Sequence, residues 1–316
     1  MNGNSYQCNY CRSTQSAVSC EDIRDWEYGV QGSYDYYRCL DCQGLQIHPF
    51  PDLEDLRLAY DIDYHGYAAG GRRGLLFSLL YAVKEGLFRK QMRHLVDEDS
   101  KVLDVGCGAG DFLLSMRELN VRQLQGIDFS ADMIERLREQ GIEGFCGTFS
   151  EFQGEGDSYD LVSMNNYLEH TLSPGEELSK ARSLLAPGAY LVGEVPGYGS
   201  WDQKLFGRFW GGNHVPRHTY QFTPQLLEKV LGDAGFTEVK LSHQLNTSHW
   251  ALSVQNFLQR NVANLRKNPT ILHGRSRYYV PLLLLFIPIN LVCVLAKRSG
   301  CIKFSARKPA GSSHRG

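Results

Sequence analysis

No Asp or Glu occurs after Glu238, although the chain of 316 residues holds 35 acidic and 33 basic residues, twelve of the basic ones between Lys240 and Arg315. The formal net charge of −2 therefore hides an acidic body and a basic tail. Such a split points the tail toward an anionic surface, either a membrane or a nucleic acid. Also lacking is a secretory leader: the start, MNGNSYQCNYC, has no basic stretch followed by an apolar core, so a cytoplasmic chain is expected. In that reducing setting the nine cysteines read as ligands or core residues rather than as disulfides. Basic residues are sparse at the front, where only Arg12, Arg24 and Arg38 occur in the first fifty positions among more numerous acids. Phosphate contacts would be poorly supported there, and nucleic acid is not the expected partner. The rest of the composition, 42% hydrophobic and 22% charged, is ordinary for a globular chain long enough for one α/β domain plus smaller attachments.

What the front does contain is two CxxC knuckles, Cys8-x2-Cys11 and Cys39-x2-Cys42. Four thiolates saturate a tetrahedral Zn²⁺ and leave no open position, so the spacing predicts a structural zinc ribbon over residues 1–50. Cys20, between the knuckles, is a bystander in this reading.

A helical lead-in over 51–98 precedes KVLDVGCGAGDF, in which a buried parallel strand ends near Asp104. Gly106, Gly108 and Gly110 then form a tight turn before an apolar-periodic helix, a geometry that lets backbone approach a ligand closely. A dinucleotide fingerprint needs Gly or Ala where Asp111 stands, and the Lys-Ser/Thr of a P-loop is missing. A ligand with one carboxylate and one ammonium suits the turn better, with Asp104 facing the ammonium. A second strand, QLQGIDFS, ends in Asp128, placed to accept two ribose hydroxyls.

VLDVGCGAGDF, GIDFS and YDLVSMNNYLEH, followed by LAPGAYLVGEVP and FTPQLLEKVLGDAGFTEVKL, resemble the motifs of class I S-adenosylmethionine-dependent methyltransferases over roughly residues 95–245. The front, with YRCLDCQGLQIHPFP and LRLAYDIDYHGY, is similar to the zinc module that precedes some bacterial methyltransferases of sugar and secondary metabolism. The resemblance implies an α/β, doubly wound Rossmann-like sheet over 99–245 and S-adenosylmethionine as cofactor. It further implies that Asp104, Gly106, Gly108 and Gly110 hold the methionine end, with Asp128 on the ribose and Phe129 beside the adenine. Thr148 stands where an acid often meets the adenine amino group, and Asn165 and Asn166 flank the methyl-donor side.

Methyl transfer to a hydroxyl needs alignment and a base. Candidates lie at the carboxyl ends of the fourth and fifth strands. His170 follows the fourth, beside Glu169. After the fifth comes a segment too long for a plain connection, GYGSWDQKLFGRFWGGNHVPRHTYQF, read as a substrate lid over 197–222. Its His218 is the first choice of base and His214 the second, Trp201, Phe206, Phe209, Trp210 and Tyr220 are expected to wall an apolar pocket, and Arg217 to meet an anionic substrate group.

The tail, 246–316, carries the apolar run Tyr279 to Ala296, which as one straight helix would be about 27 Å long, barely a hydrocarbon core of about 30 Å. Pro281, Pro288 and Asn290 interrupt it, and both flanks are basic, so no direction of crossing is favoured. A shallow element seated on the inner face of a bacterial membrane is expected, with attraction to anionic lipid. The predicted activity is O-methylation of a lipid-linked saccharide, glycolipid or other amphipathic acceptor. The alternatives are a soluble nucleotide-sugar methyltransferase, an RNA methyltransferase and an inactive binding subunit.

Overall fold

A computed structural model describes residues 6–60, 86, 88–261 and 278–310. Strands β4 (Lys101–Val105), β5 (Gln123–Asp128), β6 (Glu143–Cys146), β7 (Tyr159–Asn165) and β8 (Leu185–Pro196) pair in parallel in the spatial order β8-β7-β4-β5-β6. Successive side chains on a strand point to opposite faces, and here both faces are covered. Leu103 and Val162 pack toward helices α4 (Pro174–Leu184) and α6 (Pro224–Asp233), while Val102 and Leu161 pack toward α2 (Asp111–Arg117) and α3 (Ala131–Glu139). That double coverage explains the consecutive apolar residues Val102–Leu103 of β4 and Leu161–Val162 of β7. Helix α6 starts where Thr223 Oγ1 accepts from the Leu226 amide at 3.2 Å and Pro224 occupies the first turn.

The sheet does not close where the sequence led us to end it. Strand β10 (Thr237–His243) is an edge, and between it and β8 lies β11 (Cys301–Arg307), antiparallel to both. Ile302, Phe304 and Ala306 are buried in the main core. The expectation of a separate tail from residue 246 is thus corrected: the end of that tail is a sheet strand, and residues 244–300 are an excursion between the last two strands. Within it run α7 (Ser248–Asn261), α8 (Tyr279–Leu285) and α9 (Ile287–Leu295). Among the described residues no helix is long and apolar enough to cross a membrane.

The N-terminal module is likewise not free-standing. Strands β1 (Ser16–Ile23), β2 (Tyr34–Cys39) and β3 (Leu45–His48) form an antiparallel sheet whose fourth strand is β9 (Tyr220–Gln221), contributed by the lid. Ile23, Tyr36, Leu45 and Ile47 share one core with Tyr198, Trp210 and Val215 of the lid segment. Of the expected helical lead-in, α1 (Leu53–Tyr60) and residues 88–92 are helical, and 61–85 lie outside the described residues.

Candidate active site

The cofactor side is built at the carboxyl ends of β4, β5 and β7. Asp104 is buried and accepts a hydrogen bond from Ser163 Oγ of the neighbouring strand. Burial, opposed by Ser163 and reinforced by the nearby Asp128, raises its carboxyl to about 7. An ammonium brought against it would stabilise the ionised form. Gly106 and Gly110 have φ of 73° and 88°, and a Cβ at Gly110 would stand 2.4 Å from Leu137 Cδ1, so the turn tolerates only glycine. Asp128 accepts from the Gly108 amide at 3.0 Å and the Ser130 amide at 2.9 Å. Those amides orient the carboxylate while leaving each oxygen a further lone pair for a hydroxyl. Phe129 is half exposed beside it. Thr148 is tied to Glu151 through its amide and its Oγ1, both at 2.8 Å, so it serves as a turn cap. Asn165 ends β7, and Asn166, at φ 49°, donates to Glu194 Oε1 at 3.1 Å.

Facing this is a cluster of imidazoles from separate segments. The ring of Tyr60, at the end of α1, meets Phe129 edge-on at 5.0 Å, and its hydroxyl lies 2.7 Å from His170 Nδ1. Through Tyr60, Phe129 is joined to His170. The His170 ring is 4.5 Å from that of His218, which in turn is 5.0 Å from His214. Carbonyl oxygens only accept, so the contacts of His170 Nδ1 with Arg217 O (3.2 Å) and of His218 Nδ1 with Gly212 O (2.9 Å) place the proton on Nδ1. Nε2 of each ring keeps its lone pair. Burial, aided by the Arg217 charge, lowers His170 to about 3, and burial with the neighbouring charges and imidazoles holds His214 and His218 well below the usual range. The rings are neutral. The carboxylates run the other way: burial lifts Glu169 to about 8, and burial together with Asp25 lifts Glu27 to about 7. Among the described residues, neither oxygen of the fully buried Glu169 has a hydrogen-bond partner. Glu169, His170 and His218 each offer a ligand atom within 4.8 Å of the other two, a donor set able to take up a proton or a cation.

Three lid residues expected at the substrate are spent elsewhere. Arg217 is fully buried, donates to Asp25 Oδ2 at 2.7 Å and to Ala59 O at 3.1 Å, and lies over the Tyr28 ring. Its charge is already matched, because a buried guanidinium without a partner would be far costlier. Arg217 instead joins the module loop, the end of α1 and His170, and so sets where Tyr60 stands. Trp210 is buried in the module core and donates from Nε1 to Asp202 Oδ2 at 2.8 Å. Tyr220 is buried in β9. A long loop must bury apolar side chains of its own to be ordered, and these are the ones it buries. Trp201 is partly exposed, while Phe206 and Phe209 pack edge-on against Trp250 and Phe257 of α7. Tyr60, Asp25 and Glu27 carry no spacing motif, and their roles arise only from tertiary contact. Glu169 had a signal in its pairing with His170.

At the front, Cys8, Cys11, Cys39 and Cys42 offer sulfurs all within 4.8 Å of one another, with Cys8–Cys42 and Cys11–Cys39 at 3.5 Å. Sulfurs about 2.3 Å from a tetrahedral ion stand about 3.8 Å apart, so the set fits Zn²⁺. Gly44 donates to Cys42 Sγ at 3.3 Å, a contact suited to a thiolate.

Comparison with known proteins adds the following. The family model described as "Methyltransferase domain" matches residues 81–241. The ubiquinone biosynthesis O-methyltransferase of Burkholderia orbicola (strain MC0-3) is 26% identical over 155 residues, covering 46% of this chain and 53% of that protein. The mitochondrial ubiquinone biosynthesis O-methyltransferase of Candida albicans is 35% identical over 134 residues, 39% of this chain and 40% of the other. The chain thus spans about half the length of the curated relatives it matches. Among solved structures, Haemonchus contortus phosphoethanolamine N-methyltransferase 2 with S-adenosyl-L-methionine superposes with a TM-score of 0.47 at 16% identity, covering 72% of this chain and 52% of that one.

Proposed function

The chain belongs to the methyltransferase-domain family and carries an S-adenosylmethionine-dependent methyltransferase domain, and from that premise we propose that it O-methylates an amphipathic acceptor. The observation that carries the choice of oxygen is the neutral imidazole of His170, tied to the cofactor side through Tyr60 and Phe129 and backed by His218 and Glu169. Bound S-adenosylmethionine supplies an electrophilic methyl group on a sulfonium. Asp104 would hold its ammonium and Asp128 its ribose. His170 Nε2 would take the hydroxyl proton of the acceptor as the oxygen bonds to the methyl carbon and the bond from that carbon to sulfur breaks, its electron pair staying on the sulfur of the departing S-adenosylhomocysteine. A proton arriving there would make an imidazolium in a buried site; the adjacent Glu169, lifted to about 8 by burial and so protonated near neutral pH, would stabilise that imidazolium only on releasing its own proton. His218 and Tyr60 fix the ring.

The acceptor class follows from what the lid lacks. Arg217 is committed to Asp25, which removes the cation first assigned to a phosphate or carboxylate and weakens the soluble nucleotide-sugar reading. The curated relatives are named for O-methylation in ubiquinone biosynthesis, and a ring or saccharide hydroxyl on a lipid-soluble carrier fits the same chemistry. Zn²⁺ on the four thiols would be structural, holding the module sheet to which the lid strand β9 is bonded.

The test uses methyl-labelled S-adenosylmethionine and a cell extract as acceptor source, with partition into organic and aqueous phases. Label entering the organic phase, and lost with His170→Ala, is expected. Label confined to the aqueous phase would return the nucleotide-sugar reading.

A further inference from the structure

Helices α8 and α9 hold the body by one face only. Phe286 stacks on Trp250 of α7 at 5.3 Å, Asn290 and Asn246 exchange two hydrogen bonds of 3.0 and 3.2 Å, and Cys293 is fully buried. Positions 286, 290 and 293 recur at helical spacing and define the inner face. The opposite face is apolar and open to solvent: Leu285 is 65% exposed, Val292 54% and Leu295 84%, with Val280, Ile289 and Leu291 half exposed around them. An apolar area this continuous on a soluble body marks an interaction site.

The chain next to these helices carries charge of one sign. Exposed Lys297 and Arg298 follow Leu295 after Ala296, and exposed Arg260 lies in the last turn of α7. In sequence, Arg266, Lys267, Arg275 and Arg277 precede α8, with no acid anywhere beyond Glu238.

We propose that the outer face of α8 and α9 seats the protein on an anionic lipid surface, lying in the interface without crossing it. Apolar side chains enter the acyl boundary while the flanking cations meet lipid phosphates, the arrangement of an in-plane anchor. A second copy of this chain is the poorer occupant: a two-fold contact through this face would bring cation against cation, with no acid of the segment to pair them. The seat also reaches the lid, since the Trp201 amide donates to Arg298 O at 3.1 Å, so the lid helix α5 (Trp201–Phe206) hangs from the turn that ends α9. Docking there would put the lid at the lipid surface. This deepens the amphipathic-acceptor reading, yet its test needs no acceptor.

The full-length, zinc-loaded chain is sedimented with phosphatidylcholine vesicles with and without phosphatidylglycerol. It should co-sediment with the anionic vesicles and lose at least about tenfold in affinity both in Leu291→Asp/Leu295→Asp and in Lys297→Glu/Arg298→Glu. S-adenosylmethionine affinity, unchanged in both variants, checks the fold. Wild-type protein left in the supernatant, or both variants binding as well as it does, overturns the proposal. So does a lipid-free dimer seen by light scattering and dispersed by Leu295→Asp, which would assign the face to a second copy. Because the vesicles contain no acceptor, failure here leaves the methyl-transfer reading standing, and failure of transfer leaves this one standing.

Discussion

On one side of the cleft, Asp104, the glycine turn and Asp128 come from a single stretch of chain, residues 104–128, and each is held by its own strand end. On the other side, Tyr60, His170, His214, His218 and Glu27 come from four stretches that meet only after folding, pinned by Arg217 and by the strand that the lid lends to the module. The first side is rigid by local geometry. The second is rigid only while the N-terminal module, α1 and the lid remain together. Damage to the module or lid should therefore erase acceptor chemistry and spare cofactor binding, and damage at β4 or β5 should do the reverse to binding.

The largest expected effect is on the cofactor side. Asp128→Ala removes the carboxylate that orients Gly108 and would hold the ribose, so S-adenosylmethionine binding by calorimetry should fall below detection while the circular dichroism melt stays cooperative. Unchanged affinity would mean that the ribose lies elsewhere and that the two sides are not separated as described.

Next comes His170→Ala, which should reduce turnover about 10²–10⁴-fold with S-adenosylmethionine affinity retained. His218→Ala should cost less, because His218 is buried behind His170 and reaches the acceptor through it. If His218→Ala proves the more damaging of the two, the base is His218, as the sequence first suggested.

Smaller again, but more telling, is the effect of the thiols. Cys39→Ser/Cys42→Ser should release about one zinc per chain by elemental analysis. Because β3 of the module pairs with β9 of the lid, turnover should fall at least about tenfold while cofactor affinity stays within about twofold. Protein that contains no zinc to release would refute the metal assignment. A matching loss of cofactor affinity would refute the independence of the two sides.

The same contrast explains what could be read in advance. The placement of Asp104 and Asp128 at the ends of neighbouring strands was legible because strand, turn and helix are consecutive in that run. Trp210, Arg217 and Tyr220 were assigned to substrate because aromatics and a cation in a long loop suggest a pocket. Trp210 lies instead in a core shared with a sheet some 170 residues earlier, Arg217 is paired with Asp25 of the same module, and Tyr220 is buried in the strand bonded to that sheet; nothing in the local pattern reveals those distant partners. Strand β11 was a different failure, since its signal was present. Ile302, Phe304 and Ala306 alternate with Lys303, Ser305 and Arg307, a half-buried strand by period. The basic charge and the neighbouring apolar run outweighed that alternation, so a strand was read as part of a tail.

The last effect distinguishes the sides by pH. Asp104 has its carboxyl raised to about 7 by burial, against 3.8 as its ordinary value. In the free protein it is protonated below about pH 7, whereas an ammonium ligand requires the carboxylate. S-adenosylmethionine affinity should therefore rise as pH goes from 5 to 7 and level off above, by up to about tenfold per unit. The stability of the free protein runs the opposite way. Between the two values the native state holds a proton that the unfolded chain has released, so stability falls as pH rises through this window. The thermal shift produced by the cofactor should accordingly grow from pH 5 to 7, and Asp104→Asn should flatten both trends while lowering affinity at pH 7. A pH dependence that survives in Asp104→Asn would move the ammonium contact to another group. One that survives there but disappears in His170→Ala would place the titration across the cleft, and the separation of the two sides would have to be given up.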